Sequence, residues 1–389
     1  MNTQSLKSRK PSTRLCLMAG AAAIALCGSG SFVRAEGSDT APPNRSIAYT
    51  FYDLRWAIHE TKDTKEECPD GLAIVGPREY FKLKFPEDGT KRTQKETELA
   101  MEGEVFWPNT DPDTTHFRLA GGKTAPGLNL DGKTKPTDFT SPDGKPGVDN
   151  ELFRVIGCIG NYRSGAVILT YDMQHYKQST SVRSLIEVTD VDSLVNDDDV
   201  TVTTYRGRDI LQVDASANSF APGASQRLDL RWGKEFISQA KGKIVNGVLS
   251  TEPIKELRIP DESLAFISGS VERMRDARFE LKLTPDSAEG VIAGYADLET
   301  FYANRARNWS SHHLSYASQT QQLVYKQLRK FADAYPDPKT GENTAISSAF
   351  KVKMIETRIL RSEKEVAETK GEPSSSQFAS DSSRAGSPK

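Results

Sequence analysis

The sequence predicts a mainly β protein: an antiparallel β-sandwich with a C-terminal amphipathic helix and long irregular loops. Three observations carry this expectation. Between residues 166 and 298, short runs rich in Val, Ile and Thr recur between clusters of Gly, Asp, Pro and Ser, the texture of antiparallel strands joined by turns in a sandwich or a barrel, of which the sandwich is the expectation. In ARFELKLT (277–284) strict alternation puts Phe279, Leu281 and Leu283 on one face and Glu280 and Lys282 on the other. In SQTQQLVYKQLRKFADAY the period changes to helical, with Val324, Leu328 and Phe331 at i, i+4 and i+7, and Leu323 and Ala332 widening the stripe.

Taken in order, residues 1–35 read as a cleavable export signal. Lys7, Arg9, Lys10 and Arg14 precede the apolar run LCLMAGAAAIAL, which is too short to cross a bilayer, and Val33-Arg34-Ala35 supplies the cleavage site. Lipid attachment through Cys27 is the less favoured alternative, because Leu26 stands where a small residue is needed. A polar linker follows at 36–46. Residues 47–160 form an N-terminal extension that opens with a strand in IAYTFYDLRWAIHE, and 77–104 have helical composition. Between 108 and 150, prolines and glycines leave no room for a long element, which marks a loop.

A β-rich domain with a helix spans 161–361. Its candidate strands are AVILTYD (166–172), SLIEVTDV (184–191), VTVTTYRG (200–207), DILQVDAS (209–216), QRLDLRW (226–232), GKIVNGVLS (242–250), KELRIP (255–260), ARFELKLT (277–284) and GVIAGYADL (290–298). Helix is expected over 297–335 and ends at the Pro- and Gly-containing YPDPKTG; AFKVKMIE (349–356) is the last strand. Residues 362–389, rich in Ser, Glu and Gly, are expected to be disordered.

The whole chain has 51 basic and 53 acidic residues, and loss of the leader's five basic residues leaves a net charge of −7. That balance excludes a nucleic-acid binder, which needs a basic stripe to displace counterions. It also gives no reason to expect an anionic membrane as partner, and no transmembrane segment is expected in the mature chain. Two of the four cysteines leave with the leader. In an exported chain the remaining pair, Cys68 and Cys158, is expected to form a disulfide.

Three stretches, TSPDGKPGVDNELFRVIGCIG (140–160), RWGKEFISQAKGKIVNGVLSTEP (231–253) and ADAYPDPKTGENTAISSAF (332–350), resemble a group of uncharacterised secreted bacterial proteins with no assigned activity. The resemblance implies one exported module and brings no site residues.

Asn129, Asp131, Asp143, Asp149 and Asn150 concentrate hard oxygen donors in a flexible segment and are the candidate ligands for calcium. The spacing is not that of an EF-hand, because Gly127 stands where its first acid belongs, and the lysines of the segment lower its negative potential. His175, Asp172 and His313 could meet as a transition-metal site if the helix packs beside the 166–172 strand. No nucleophile elbow, zincin, Walker or dinucleotide-binding motif is present. Asp229, Glu235, Glu280 and Asp297 are the carboxylates available for acid–base work on a glycoside. Trp56, Trp107, Trp232 and Trp309 could stack on a sugar or fill the core. The leading expectation is a non-catalytic binding or interaction module of the cell envelope, periplasmic or secreted, with an envelope or extracellular partner and using the 121–151 loop or a sheet face. Its rivals are a secreted hydrolase acting on carbohydrate and a structural envelope protein.

Overall fold

A computed structural model describes residues 41–73, 117–164, 183–216, 219–261, 270–307 and 321–361. The expected leader, the 77–104 stretch, the expected strand at 166–172, the three metal candidates His175, Asp172 and His313, Trp107, Trp309 and residues 362–389 lie outside these residues.

In chain order the strands are β1 (Ser46–Trp56), β2 (Phe139–Thr140), β3 (Pro146–Val148), β4 (Arg183–Thr189), β5 (Asp197–Gly207), β6 (Ala224–Arg227), β7 (Ser238–Val245), β8 (Val248–Thr251), β9 (Ile254–Asp261), β10 (Ser270–Leu283), β11 (Ser287–Asp297), β12 (Ala334–Pro336) and β13 (Asn343–Leu360). The helices are α1 (Glu151–Ile156), α2 (Leu298–Arg307) and α3 (Gln321–Phe331).

The sandwich expectation is overturned. Strands β1, β4, β5, β7, β8, β10, β11 and β13 form an antiparallel meander that closes on itself into an eight-stranded barrel. The closing pair is β1 with β13, in register from Ala48–Thr357 to Trp56–Phe350 with one bulge between Phe51 and Asp53. Period-2 alternation belongs equally to a sandwich and a barrel. The choice is made by one pairing between the two ends of the domain, which local patterning does not encode.

One apolar cluster fills the barrel. Tyr49, Ile186, Val202, Phe279, Leu281 and Met354 are among its fully enclosed members. Tyr49 keeps its polar end satisfied by donating to the Thr284 carbonyl at 2.7 Å. Burial pushes its phenol well above the usual tyrosine range, with the negative charges of Glu356 and Asp286 adding to the effect. The helices extend the same cluster where β1 and β11 finish. Trp56 stacks on Phe350 at 3.8 Å and meets Phe301 of α2 edge-on at 5.4 Å, so it is a core residue rather than a sugar platform. Leu323, Val324 and Leu328 of α3 are buried as their spacing predicts. The helix ends at Phe331, earlier than expected, and the chain turns into β12.

Two further local readings are corrected. The 242–250 run is two strands, β7 and β8, joined by Asn246-Gly247 with φ of 52° and 77°. This is the two-residue hairpin loop whose positive φ values Asn-Gly tolerates best. Residues 209–216 contribute only an isolated bridge between Val213 and Phe220.

Cys68 and Cys158 are disulfide-bonded across 90 residues, with Cα atoms 5.6 Å apart and both side chains buried. Beside the bridge, the buried Glu67 carboxylate accepts from Thr61 N at 3.0 Å, Thr61 Oγ1 at 2.6 Å and Arg163 NH2 at 2.6 Å. Burial alone would raise its pKa, but these bonds together overcome that and hold it at about 2.

On β11, Gly290 lies so close to β10 that an added Cβ would fall on the Glu280 carbonyl oxygen and within 3.0 Å of Leu281 Cα. Gly290→Ala is therefore expected to lower unfolding free energy by about 1–3 kcal/mol through forced separation of the two strands, read from urea denaturation. An unchanged midpoint would show that the strands part without cost. Replacing Cys68 and Cys158 together with Ala is expected to cost up to ~4 kcal/mol in the same assay, because a long unfolded loop is released. Equal stability of the oxidised and cysteine-free proteins would show that the bridge restrains nothing.

Candidate functional site

The calcium candidates are placed, but they are not gathered around a common point. Asn129 closes a turn on itself, accepting from Gly132 N at 2.7 Å and donating to Lys133 O at 2.6 Å. Asp131 accepts from Lys133 N at 2.8 Å and pairs with Lys135 at 2.5 Å; the lysine's hydrogen bond holds its carboxyl below the usual range. Asp143 sits in a separate turn, bonded to Ser141 Oγ and 3.4 Å from Lys145. Asp149 accepts from Leu130 N at 2.7 Å and Asp131 N at 3.3 Å. Asn150 caps α1 through Phe153 N and donates to Ala57 O and Pro126 O, at 3.3, 3.1 and 2.8 Å. Lysine ammoniums and backbone N–H groups thus occupy the oxygens a cation would need. Among the described residues no group of three or more His, Cys, Asp and Glu side chains could hold a metal ion.

The four carboxylates offered for glycoside chemistry are each matched to a cation. Asp229 is held by Arg231 at 2.7 Å, Glu235 by Arg258, Glu280 by Lys145 at 2.8 Å, and Asp297 by Arg275 at 2.7 Å. Asp297 also caps α2, accepting from Thr300 N at 3.0 Å. The hydrogen bond from Arg231 holds the Asp229 carboxyl below the usual range.

A different acidic group lies around Tyr295 on β11; Asp149 and Asp131 of it were named from sequence as candidates, and Asp333 was not. Loss of water raises the pKa of Asp149, and the charges of Asp131 and Asp138 raise it further. Glu151 and Asp333 are raised for the same first reason; Arg154 opposes the shift at Glu151, while Asp149 adds to it at Asp333. Asp333 is exposed as a residue, but its carboxyl turns onto β13 and accepts from Ser347 N at 2.7 Å. The Tyr295 phenol is pushed far up by burial and by the negative charges of Asp149, Asp333 and Asp131.

The hollow that best combines shape with uncommitted charge lies on the outer wall of the barrel, over β10, β11, β13 and β1. It encloses about 480 Å³, and Glu60, Tyr162 and Ser164 from the disulfide-bonded segment form one wall. Its floor is set by register: Lys282 pairs with Glu289, Glu289 with Lys353, and Lys353 with Asp53, so four neighbouring strands present alternating charge. Two residues along β13, Lys351 lies opposite Arg55. Arg55 is bound to Asp53 at 2.6 Å, and Glu60 accepts from Ser164 N and Oγ at 2.9 and 2.6 Å. Among the described residues Lys282, Lys351 and Lys353 form no ion pair. Lys351 is exposed as a residue, and its Nζ donates to Ile58 O at 2.7 Å. Loss of water there lowers its pKa, opposed by the charge of Glu60.

A larger groove of about 880 Å³ lies where β13 leaves β1. Its buried carboxylate, Glu187, is committed to Arg361, Tyr205 and Ser46. Ala41 and Arg361, which line it, both adjoin residues outside the described chain. No protein-family model, no curated protein and no solved structure matches this chain.

The acids around Tyr295 give a stability signature of known sign. A carboxyl whose pKa is raised on folding binds its proton more tightly in the folded state, so it destabilises at neutral pH and the penalty fades as pH falls toward ordinary carboxylate values. Glu67 acts oppositely, losing its contribution as pH falls below 4.5 toward about 2. Asp149→Asn keeps an oxygen for Leu130 N and Asp131 N but removes the charge. It is expected to raise the urea midpoint at pH 7 relative to the parent, with a smaller gain at pH 5. A variant less stable at pH 7 than at pH 5, relative to the parent, would contradict this.

Proposed function

We propose that the chain is a non-catalytic binding module exported to the cell envelope, and that it takes its ligand in the hollow over β10, β11, β13 and β1. The observation that carries this is the coexistence of a barrel filled by its own side chains with a formed hollow on its outer wall, where three lysines form no ion pair among the described residues. A filled barrel leaves the wall as the place where a ligand can be held. The wall is also the wrong way round for a membrane-spanning barrel: Lys351 and Lys353 face outward, while Val352 and Met354 between and beside them are buried. No helix among the described residues is long and apolar enough to cross a membrane. The disulfide supports export, since such bridges persist in oxidising compartments. The resemblance to secreted proteins without assigned activity is in keeping with one exported module.

The test is retention of envelope-derived compounds on immobilised mature protein, with bound material identified by mass spectrometry. The parent is expected to retain a compound chemically unchanged. Ser164→Trp, which fills the hollow from its rim, is expected to abolish retention, whereas Trp at the exposed Ile210, which lies beside Gln226 of β6 and away from the hollow's lining, has no effect. Equal retention by Ser164→Trp, or recovery of a cleaved product, would overturn the proposal.

A further inference from the structure

We infer that the ligand of this hollow is an anion, a compound of monosaccharide size bearing a carboxylate or phosphate whose oxygens are held by Lys351 and Lys353, with Lys282 completing the positive side. The inference rests on the binding reading above and deepens it.

Four basic and three acidic side chains line the hollow, and what matters is which of them are already committed. Asp53 and Arg55 neutralise each other, and Glu60 is turned to Ser164. That leaves three lysines against Glu289, which stands between Lys282 and Lys353 in the strand register. Side chains two apart on one strand face project about 7 Å from one another, and the second strand over is about 10 Å away. Lys351 and Lys353 therefore flank one oxyanion, with Lys282 on the far side of Glu289. The Lys351 ammonium carries three N–H donors and gives one to Ile58 O, which leaves two for a ligand. Its partial loss of water, opposed only in part by the charge of Glu60, is a cost that a bound anion relieves, and this supports the geometric argument. The volume, about 480 Å³, lies within the range of small-molecule sites and takes a sugar ring beside the anion. The chain as a whole is net acidic, so the attraction is local to this face.

The test is isothermal titration of the mature protein with glucuronate, glucose 6-phosphate and glucose. One or both anionic sugars are expected to bind and glucose is not, with affinity falling as salt rises. The two anionic probes distinguish a carboxylate ligand from a phosphate ligand. Lys351→Met and Lys353→Met are each expected to weaken binding about tenfold or more, the usual scale for a charge-assisted hydrogen bond. Glu289→Gln is expected to tighten it, a gain of function that misfolding does not mimic. Glucose binding as well as the charged sugars, or Lys351→Met and Lys353→Met binding like the parent while Ser164→Trp abolishes binding, would overturn the anionic ligand and leave the binding module standing. Absence of binding by all three probes, with envelope retention indifferent to Ser164→Trp, would overturn both.

Discussion

The pairing of β1 with β13 is the contact on which the remaining architecture depends. Its partners are separated by nearly the whole described chain, Ala48 meeting Thr357 and Trp56 meeting Phe350. Once it forms, the meander has an inside and an outside. Inside, Tyr49, Phe279, Leu281 and Met354 exclude water. Outside, alternation fixes Lys351, Lys353, Lys282 and Glu289 as a surface array. Closure also leaves the eight barrel strands without free edges, the usual hazard of an exposed sheet. The entropy of joining such distant segments must be recovered by contacts formed across the whole barrel, so closure and core filling are one cooperative event.

The segment between β1 and β4 is organised by different forces. Its described part contains short strands, one six-residue helix and a series of turns tied by side chains to backbone N–H groups. The Cys68–Cys158 bridge and the buried Glu67–Arg163 pair hold its two halves together. A buried pair of this kind gives register more securely than it gives stability, because desolvation of both charges offsets much of their attraction. This segment supplies the wall of the lysine hollow through Glu60, Tyr162 and Ser164, so a region with few regular elements helps shape the candidate site.

How much of this was legible in the sequence differs by element. The alternation of ARFELKLT and the stripe of Val324 and Leu328 were read correctly because burial of one face is a local constraint. The disulfide was legible from Cys68 and Cys158, the pair that lies beyond the expected leader. Closure was not, because sandwich and barrel share the same alternation. Asn246-Gly247 carried a hairpin signal that was passed over in favour of a single run, and Asn150, offered as a calcium ligand, carried a helix-start signal that was not drawn. In both cases a short polar residue serves the backbone, through positive φ in one and a cap in the other. The lysine hollow assembles from four strands and a loop. Its one local trace is Lys351-Val352-Lys353, an alternation whose outward face could be read, while its neighbours Lys282 and Glu289 could not be placed before the register was known.

Closure by β1 and β13 is tested most directly by native-state amide hydrogen exchange resolved to single residues. If the seam is the constraint that defines inside and outside, the ladder amides of β1 and β13 exchange only through global unfolding, with the same free energy as those of β4 and β5. Seam amides that exchange through a low-energy opening while β4, β5 and β7 stay protected would contradict it, showing an open sheet that merely rests its ends together.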